Sequence, residues 1–248
     1  PSSIMVSPAK SPFYDTLSAV GKWAHRNRGR LFRGAVIFMT LLALPRLAYQ
    51  LWRLLLETGG NGALDLRMFS NWTALWFGNE PLVVYNLPPA TYPLLWPLTG
   101  WLSFGASRWL WLLFYIISFF WLFGIIKSGA GVRERNETVF AGLFLIAVYP
   151  TSILVGNGQL ALFVLPAVLT AILLARGRPA PGRDAAITLL LLFSTIKLPL
   201  SAPFFLVAFI SLRAHRPVFL AVLGYILLTL FAVHFRDDGL LTNAELWI

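Results

Sequence analysis

The chain has 248 residues, of which 58% are hydrophobic, 15% aromatic and only 12% charged, with a formal net charge of +10 and no cysteine. A soluble domain carries about a quarter charged residues, so a soluble globular fold is excluded, and without cysteine there is no disulfide framework, thiolate metal ligand or thiol nucleophile. The basic excess does not point to nucleic acid, because it collects in short gaps between apolar runs, as the charges of cytoplasmic loops do.

Continuous apolar runs predict an all-α polytopic membrane protein; a barrel would need strands of about ten residues alternating apolar with polar side chains. Residues 1–33 form a basic tail, with Lys10, Lys22, Arg26, Arg28, Arg30 and Arg33 against Asp15. So long a basic tail, with no small-residue cleavage pattern after it, predicts a retained cytoplasmic N-terminus on a multi-pass protein of the cell inner (plasma) membrane. The first span is read as Gly34 to Leu56, about 34 Å as a helix against a hydrocarbon core of about 30 Å. Pro45 is placed to kink it. Arg46 and Arg53, in its outer half, are expected to snorkel to the headgroups or to face a polar cavity.

Residues 57–107 read as a long outer loop holding Glu57, Asp65 and Glu80, in a chain with ten acids. Asp65 follows a Gly-rich turn and opens the pattern Leu66, Phe69, Trp72, Trp76, Phe77, whose spacing predicts an amphipathic helix lying on the membrane. Tyr92 to Gly105 is too short to cross and contains Pro93, Pro97 and Gly100. It is read as a second juxtamembrane helix, anchored by Trp96 and Trp101.

Arg108 to Lys127 is the next crossing. Were Tyr92 to Gly105 also to cross, the loops with Arg133 and Arg135 and with Arg176, Arg178 and Arg183 would lie outside, against the positive-inside rule. Thr138 to Val155 then runs outward to a polar interruption, GNGQ (156–159), and Leu160 to Ala175 runs back. Asp184 to Leu212 has 29 residues, too many for one upright helix and few for two. It is read as a hairpin of two short arms turning near Lys197 and Pro199, which keeps Arg213 and Arg216 inside. Pro217 to Phe235 exits to an outer tail, 237–248. The expected architecture is thus about seven transmembrane helices with two juxtamembrane helices, within a module spanning 34–236.

Under this topology Asp65, Arg67, Tyr92, Asn157, Gln159, Lys197, His234 and Arg236 all lie near the outer face, and a shared cleft is expected there. Lys197 sits between apolar runs, where an unpaired ammonium is costly, so a carboxylate or phosphate partner is expected. Simpler roles stand beside these: an N-cap for Asp65, helix caps for Asn157 and Gln159, and an interfacial ring for His234. Neither a metal nor a cofactor is expected, since no compact carboxylate or histidine cluster is apparent in the sequence.

These segments resemble the C-type, polyprenyl-phosphate-sugar dependent glycosyltransferases, particularly the family 87 mannosyltransferase-like proteins. In the first outer loop the resemblance rests on Asp65, Gly78, Tyr85, Tyr92, Pro93 and Leu94, with one Pro after Tyr92 where the family has two. Later it rests on Gly158 and Gln159, and on Lys197 with Pro199, Leu198 intervening. It implies transfer of a mannose-like sugar from a polyprenyl-phosphate donor to a lipid- or glycan-linked hydroxyl on the outer face, with inversion. Asp65 would then be the general base, Lys197 and Arg67 the cations for the donor phosphate, and Tyr92, Asn157, Gln159 and His234 would line the cleft. Family members continue with further spans, so a chain ending soon after the seventh is read as a fragment, a core module needing a partner membrane subunit, or an inactive descendant. The alternative function is a non-catalytic, lipid-binding membrane subunit of a larger complex. A transporter would show an inverted internal repeat, and none is visible.

Overall fold

The computed structural model describes residues 19, 21–23, 26–81, 87–147, 149–178 and 180–237. Tyr85, most of the basic tail and everything from Asp238 onward lie outside them. The described residues are helical, with no strand among them: α1 (Arg28–Leu55), α2 (Leu64–Phe77), α3 (Thr91–Thr99), α4 (Phe104–Gly129), α5 (Arg135–Ala147), α6 (Tyr149–Asn157), α7 (Ala161–Arg176), α8 (Arg183–Ser194), α9 (Leu198–Leu206) and α10 (His215–Val233). A 3₁₀ turn, Thr195–Lys197, joins α8 to α9, and a π turn, Val207–Ser211, follows α9.

Four helical runs are long and apolar enough to cross a membrane: Gly29–Leu55, Phe104–Gly129, Arg183–Ser211 and His215–Val233. The third is not straight. Thr188 Oγ1 donates to the Pro217 carbonyl at 3.3 Å, and Gly224 lies against Leu192, so α8 and α10 run side by side in the same direction. A straight helix would carry Ser211 about 35 Å past Thr188, and the chain from Ser211 to Pro217 can return at most about 21 Å. The run therefore doubles back at Thr195–Lys197. Pro199 explains the place: it has no N–H for the Thr195 carbonyl, and its ring would collide with that oxygen if α8 continued. The hydroxyls of Ser194 and Thr195 bond the carbonyls of Leu191 and Leu192, both at 2.6 Å, satisfying backbone at the break.

The other contacts fix the directions. Phe32 meets Phe140, Arg46 donates to the Ala147 carbonyl and Arg53 reaches Asn157, so α5 and α6 follow α1 along its length in the same direction. α4 runs opposite, with Arg108 at the end of α1 and Phe123 beside Gly142. α7 lies along α4, through Trp111 with Phe163 and Trp121 with Thr170. Arg46 and Arg53 thus turn to neighbouring chain segments, where snorkelling was one expectation.

One end of the bundle gathers the turn at Glu57, α2, α3, the start of α4, residues 156–160, the 195–197 turn and the end of α10. Its core is shared by all but the last: Leu54, Ala63, Leu66, Leu95, Trp111, Tyr115, Val155, Phe163 and Ile196 are buried together. α2 buries Leu66, Phe69, Thr73 and Trp76; of the stripe its sequence predicts, Trp72 and Phe77 are only half-buried, and Thr73 is buried in addition. α3, at 9 residues, is about 14 Å long and too short to cross, with Trp96 and Trp101 exposed. Trp76 and Ala232 join α2 to α10 through an indole bond to the carbonyl at 2.9 Å.

Candidate functional site

The site is built on the break between α6 and α7. Gly158 ends α6 in the left-handed conformation (φ 79), and the bonds from Gly158 N to the Val155 carbonyl and from Gln159 N to the Leu154 carbonyl close the helix in a Schellman arrangement. Leu66 packs so close to Gly158 that a Cβ there would stand 2.5 Å from the leucine Cβ. Glycine is thus required twice, for its dihedral and for its lack of a side chain. From α4, Trp111 Nε1 donates to the Gly158 carbonyl at 3.0 Å, and the Tyr115 hydroxyl stands 3.0 Å from the carbonyls of both Leu154 and Gln159. The peptide carrying Gln159 is therefore held by two side chains of α4 and by the backbone bond that caps α6.

Its side chain bridges two charges. Gln159 Nε2 donates to Asp65 Oδ2, and Gln159 Oε1 accepts from Lys197 Nζ at 2.8 Å. An amide oriented this way suits an ionised carboxylate, which only accepts, and an ammonium, which only donates. The three residues come from α2, the α6–α7 break and the hairpin turn, 132 positions apart at the extremes. All three are partly exposed. Asp65 is the second residue of α2 and not its cap: Ala63 is the N-cap residue, left-handed at φ 47, its N–H bonded to the Gly156 carbonyl at 3.1 Å. The helix N-terminus favours the ionised acid, yet burial outweighs it and pushes the Asp65 carboxyl above the ordinary aspartate range, with the Lys197 ammonium drawing it partly back.

The other residues expected in a shared cleft have contacts of their own. Asn157 Oδ1 accepts from Arg53 Nη2 at 2.8 Å; the same guanidinium bonds the Asn61 carbonyl at 2.7 Å and lies 3.6 Å from Glu57. Arg67 donates to the Gly59 carbonyl at 3.3 Å and lies over the Phe104 ring, which Arg108 also faces. Arg108 bonds the carbonyls of Leu55 and Glu57 and so closes the end of α1. Tyr92 is fully buried and stacked on Trp76 at 4.1 Å, a packing position. His234 is exposed, its ring against Phe235, and Arg236 donates to the Glu80 carbonyl and covers Trp76. Asp237 accepts from Asn79 at 2.5 Å. The structure thus joins Asp65, Gln159 and Lys197, sets Asn157 beside them in sequence but bonded to Arg53, and puts Arg67, Tyr92 and His234 in other contacts.

Trp111 and Tyr115 escaped the sequence reading because they stand in an aromatic run with no polar contrast. The signal was there in spacing: Ser107, Arg108, Trp111, Tyr115, Ser118 and Leu122 are the buried face of α4, a polar stripe on an apolar helix. Among the described residues no three His, Asp or Glu side chains stand together as a metal ligand set would. No known protein family, curated protein or solved structure matches the chain.

Proposed function

We propose that the protein is a membrane glycosyltransferase that moves a mannose-like sugar from a polyprenyl-phosphate donor to a lipid- or glycan-linked hydroxyl on the outer face. The observation that carries the reading is the Asp65–Gln159–Lys197 bridge, a carboxylate and an ammonium joined through one amide. The acceptor oxygen attacks the anomeric carbon and its proton passes to Asp65. The bond from that carbon to the phosphate oxygen breaks, and the electron pair leaves on the phosphate, which Lys197 stabilises as its charge develops. One displacement inverts the anomeric centre. An acid whose pKa is raised is a better proton acceptor at neutral pH than an ordinary aspartate, so the burial of Asp65 favours this role. Arg67 begins two residues along the same helix and would swing from Gly59 to give the phosphate a second cation. Asn157, Tyr92 and His234 act in this reading through their neighbours, not by touching the sugar.

In this reading the chain has seven membrane segments, with α5 and α6 together counted as one and the two short arms of the α8–α9 hairpin, which enter the membrane without either crossing it alone, counted as two, and α2 and α3 lie at the outer interface. The segregation of charge supports it: Arg26, Arg30, Arg33, Lys127, Arg133, Arg135, Arg176, Arg178, Arg183, Arg213 and Arg216 gather at the end opposite the bridge, as cytoplasmic loops do. An apolar groove of about 290 Å³ between α1, α4 and α7, lined by Leu47, Leu51, Leu112, Ile116 and Phe119, begins at Tyr115 and Val155 beside the bridge. It would hold a prenyl chain. The same groove favours the second reading, a non-catalytic subunit that binds lipid for a partner membrane protein. Incubation of the full chain in vesicles with a radiolabelled polyprenyl-phosphate sugar and membrane-extracted acceptors separates the two. Labelled acceptor is expected; donor binding with no transfer in the presence of natural partners would favour the subunit.

A further inference from the structure

At the opposite end of the bundle, the starts of α8 and α10 enclose a pocket of about 420 Å³ whose lining includes Ala180, Gly182, Arg183, Asp184, Arg216 and Leu220. We infer that this pocket binds the phosphate of an anionic phospholipid headgroup, a site independent of the one at Asp65.

Two guanidinium groups against one carboxylate leave the pocket with an excess positive charge. Arg183 is positioned by its own chain: Nη1 donates to the Gly177 carbonyl at 2.9 Å and Nη2 lies 3.4 Å from Asp184. Its Nε is buried with no partner among the described residues, a donor left over after those bonds. Arg216 forms no ion pair among the described residues and is exposed. Both helices that meet here lack a side-chain cap at Gly182 and Ala214, so first-turn N–H groups add to the attraction for an anion. These features specify a phosphate; the rim specifies its source. Leu220 forms one wall, and beside it Phe219 and Leu189, each 65% exposed, begin the apolar surfaces of α10 and α8. The pocket therefore sits where basic loops give way to lipid-facing helix, the level at which a phospholipid has its phosphate above its chains. Basic pockets between membrane helices at the cytoplasmic surface bind lipid headgroups for this reason.

The test uses the full chain purified into nanodiscs of phosphatidylglycerol and phosphatidylcholine, with lipid retained on the protein counted by native mass spectrometry after extraction. Arg216→Gln removes a charge without disturbing the Arg183 bond to Gly177, and a second variant adds Arg183→Gln. Phosphatidylglycerol is expected to be retained in preference to phosphatidylcholine, with about fivefold less retained in Arg216→Gln and less again in the double variant. Arg216→Lys, which keeps the charge, is expected to hold most of the retention. Equal retention of the two lipids, or retention unchanged in Arg216→Gln, would overturn the site. Displacement of phosphatidylglycerol by millimolar inorganic phosphate would overturn the lipid as its source and leave a free-anion site.

Discussion

Gln159 makes a chemical demand on each neighbour: its N–H needs an acceptor, which Asp65 supplies, and its carbonyl a donor, which Lys197 supplies. Lys197→Met removes the charge that draws the Asp65 carboxyl down, so the acid's pKa should rise further. As the proposed base, Asp65 would act only when ionised, so activity is expected to fall as pH drops through its pKa. The acid limb of the pH–rate profile should therefore move to higher pH in Lys197→Met, along with a fall in kcat; an unmoved limb would remove the coupling. The upward shift also means that ionised Asp65 costs the fold something relative to its neutral form. At pH 7 Asp65→Asn should accordingly melt no lower than the parent, since the Asn carbonyl can still accept from Gln159. Lys197 was legible as a residue needing company because charge in an apolar run is costly. The sequence groups Gln159 with it in one cleft but does not mark it as the direct partner, because Gln159 carries no charge and lies 38 residues away.

Among the elements, the α6–α7 break is the one the site depends on. Gly158→Ala forces a left-handed alanine, costing about 1–2 kcal/mol, and drives a Cβ into Leu66 on the helix that carries Asp65. Thermal unfolding should fall by more than that dihedral cost alone, and transfer should be lost with it; a variant melting like the parent would show that the close approach is not obligatory. Trp111→Phe keeps the packing on Phe163 but loses the bond to the Gly158 carbonyl, worth about 1 kcal/mol. The hairpin at Lys197 was readable because Pro199 cannot continue a helix and 29 residues fit one crossing badly. The start of α4 was read at Arg108 and lies at Phe104, capped by Ser103, whose Oγ accepts from Ala106 at 3.3 Å. Gly105, Ala106 and Ser107 interrupt the apolar pattern there, so periodicity alone starts the helix late. The Arg108–Trp111–Tyr115 face stayed hidden for the opposite reason: its aromatic rings look like lipid-facing ones until their polar atoms are placed.

For the whole molecule, the basic loops predict that the end opposite the bridge faces the cytoplasm. With no native cysteine, single cysteines at the exposed positions Ser128, Pro181 and Ser211 should resist a membrane-impermeant reagent added outside, and cysteines at Gly60 and Asn79 should react. Outside labelling at Ser128 or Pro181 would invert the orientation and put the bridge on the wrong face for an outer-face enzyme. The convergence of Asp65, Gln159 and Lys197 follows from the helix directions, which bring the end of α6, the start of α2 and the hairpin turn to one end. Whether Asp65 takes the acceptor's proton is decided by measuring sugar transfer and donor binding together, in vesicles with polyprenyl-phosphate mannose, for the parent and for Asp65→Asn. Transfer reduced by about 10²–10⁴-fold, with donor binding retained, is the expected result, and full transfer by a well-folded Asp65→Asn protein would contradict it.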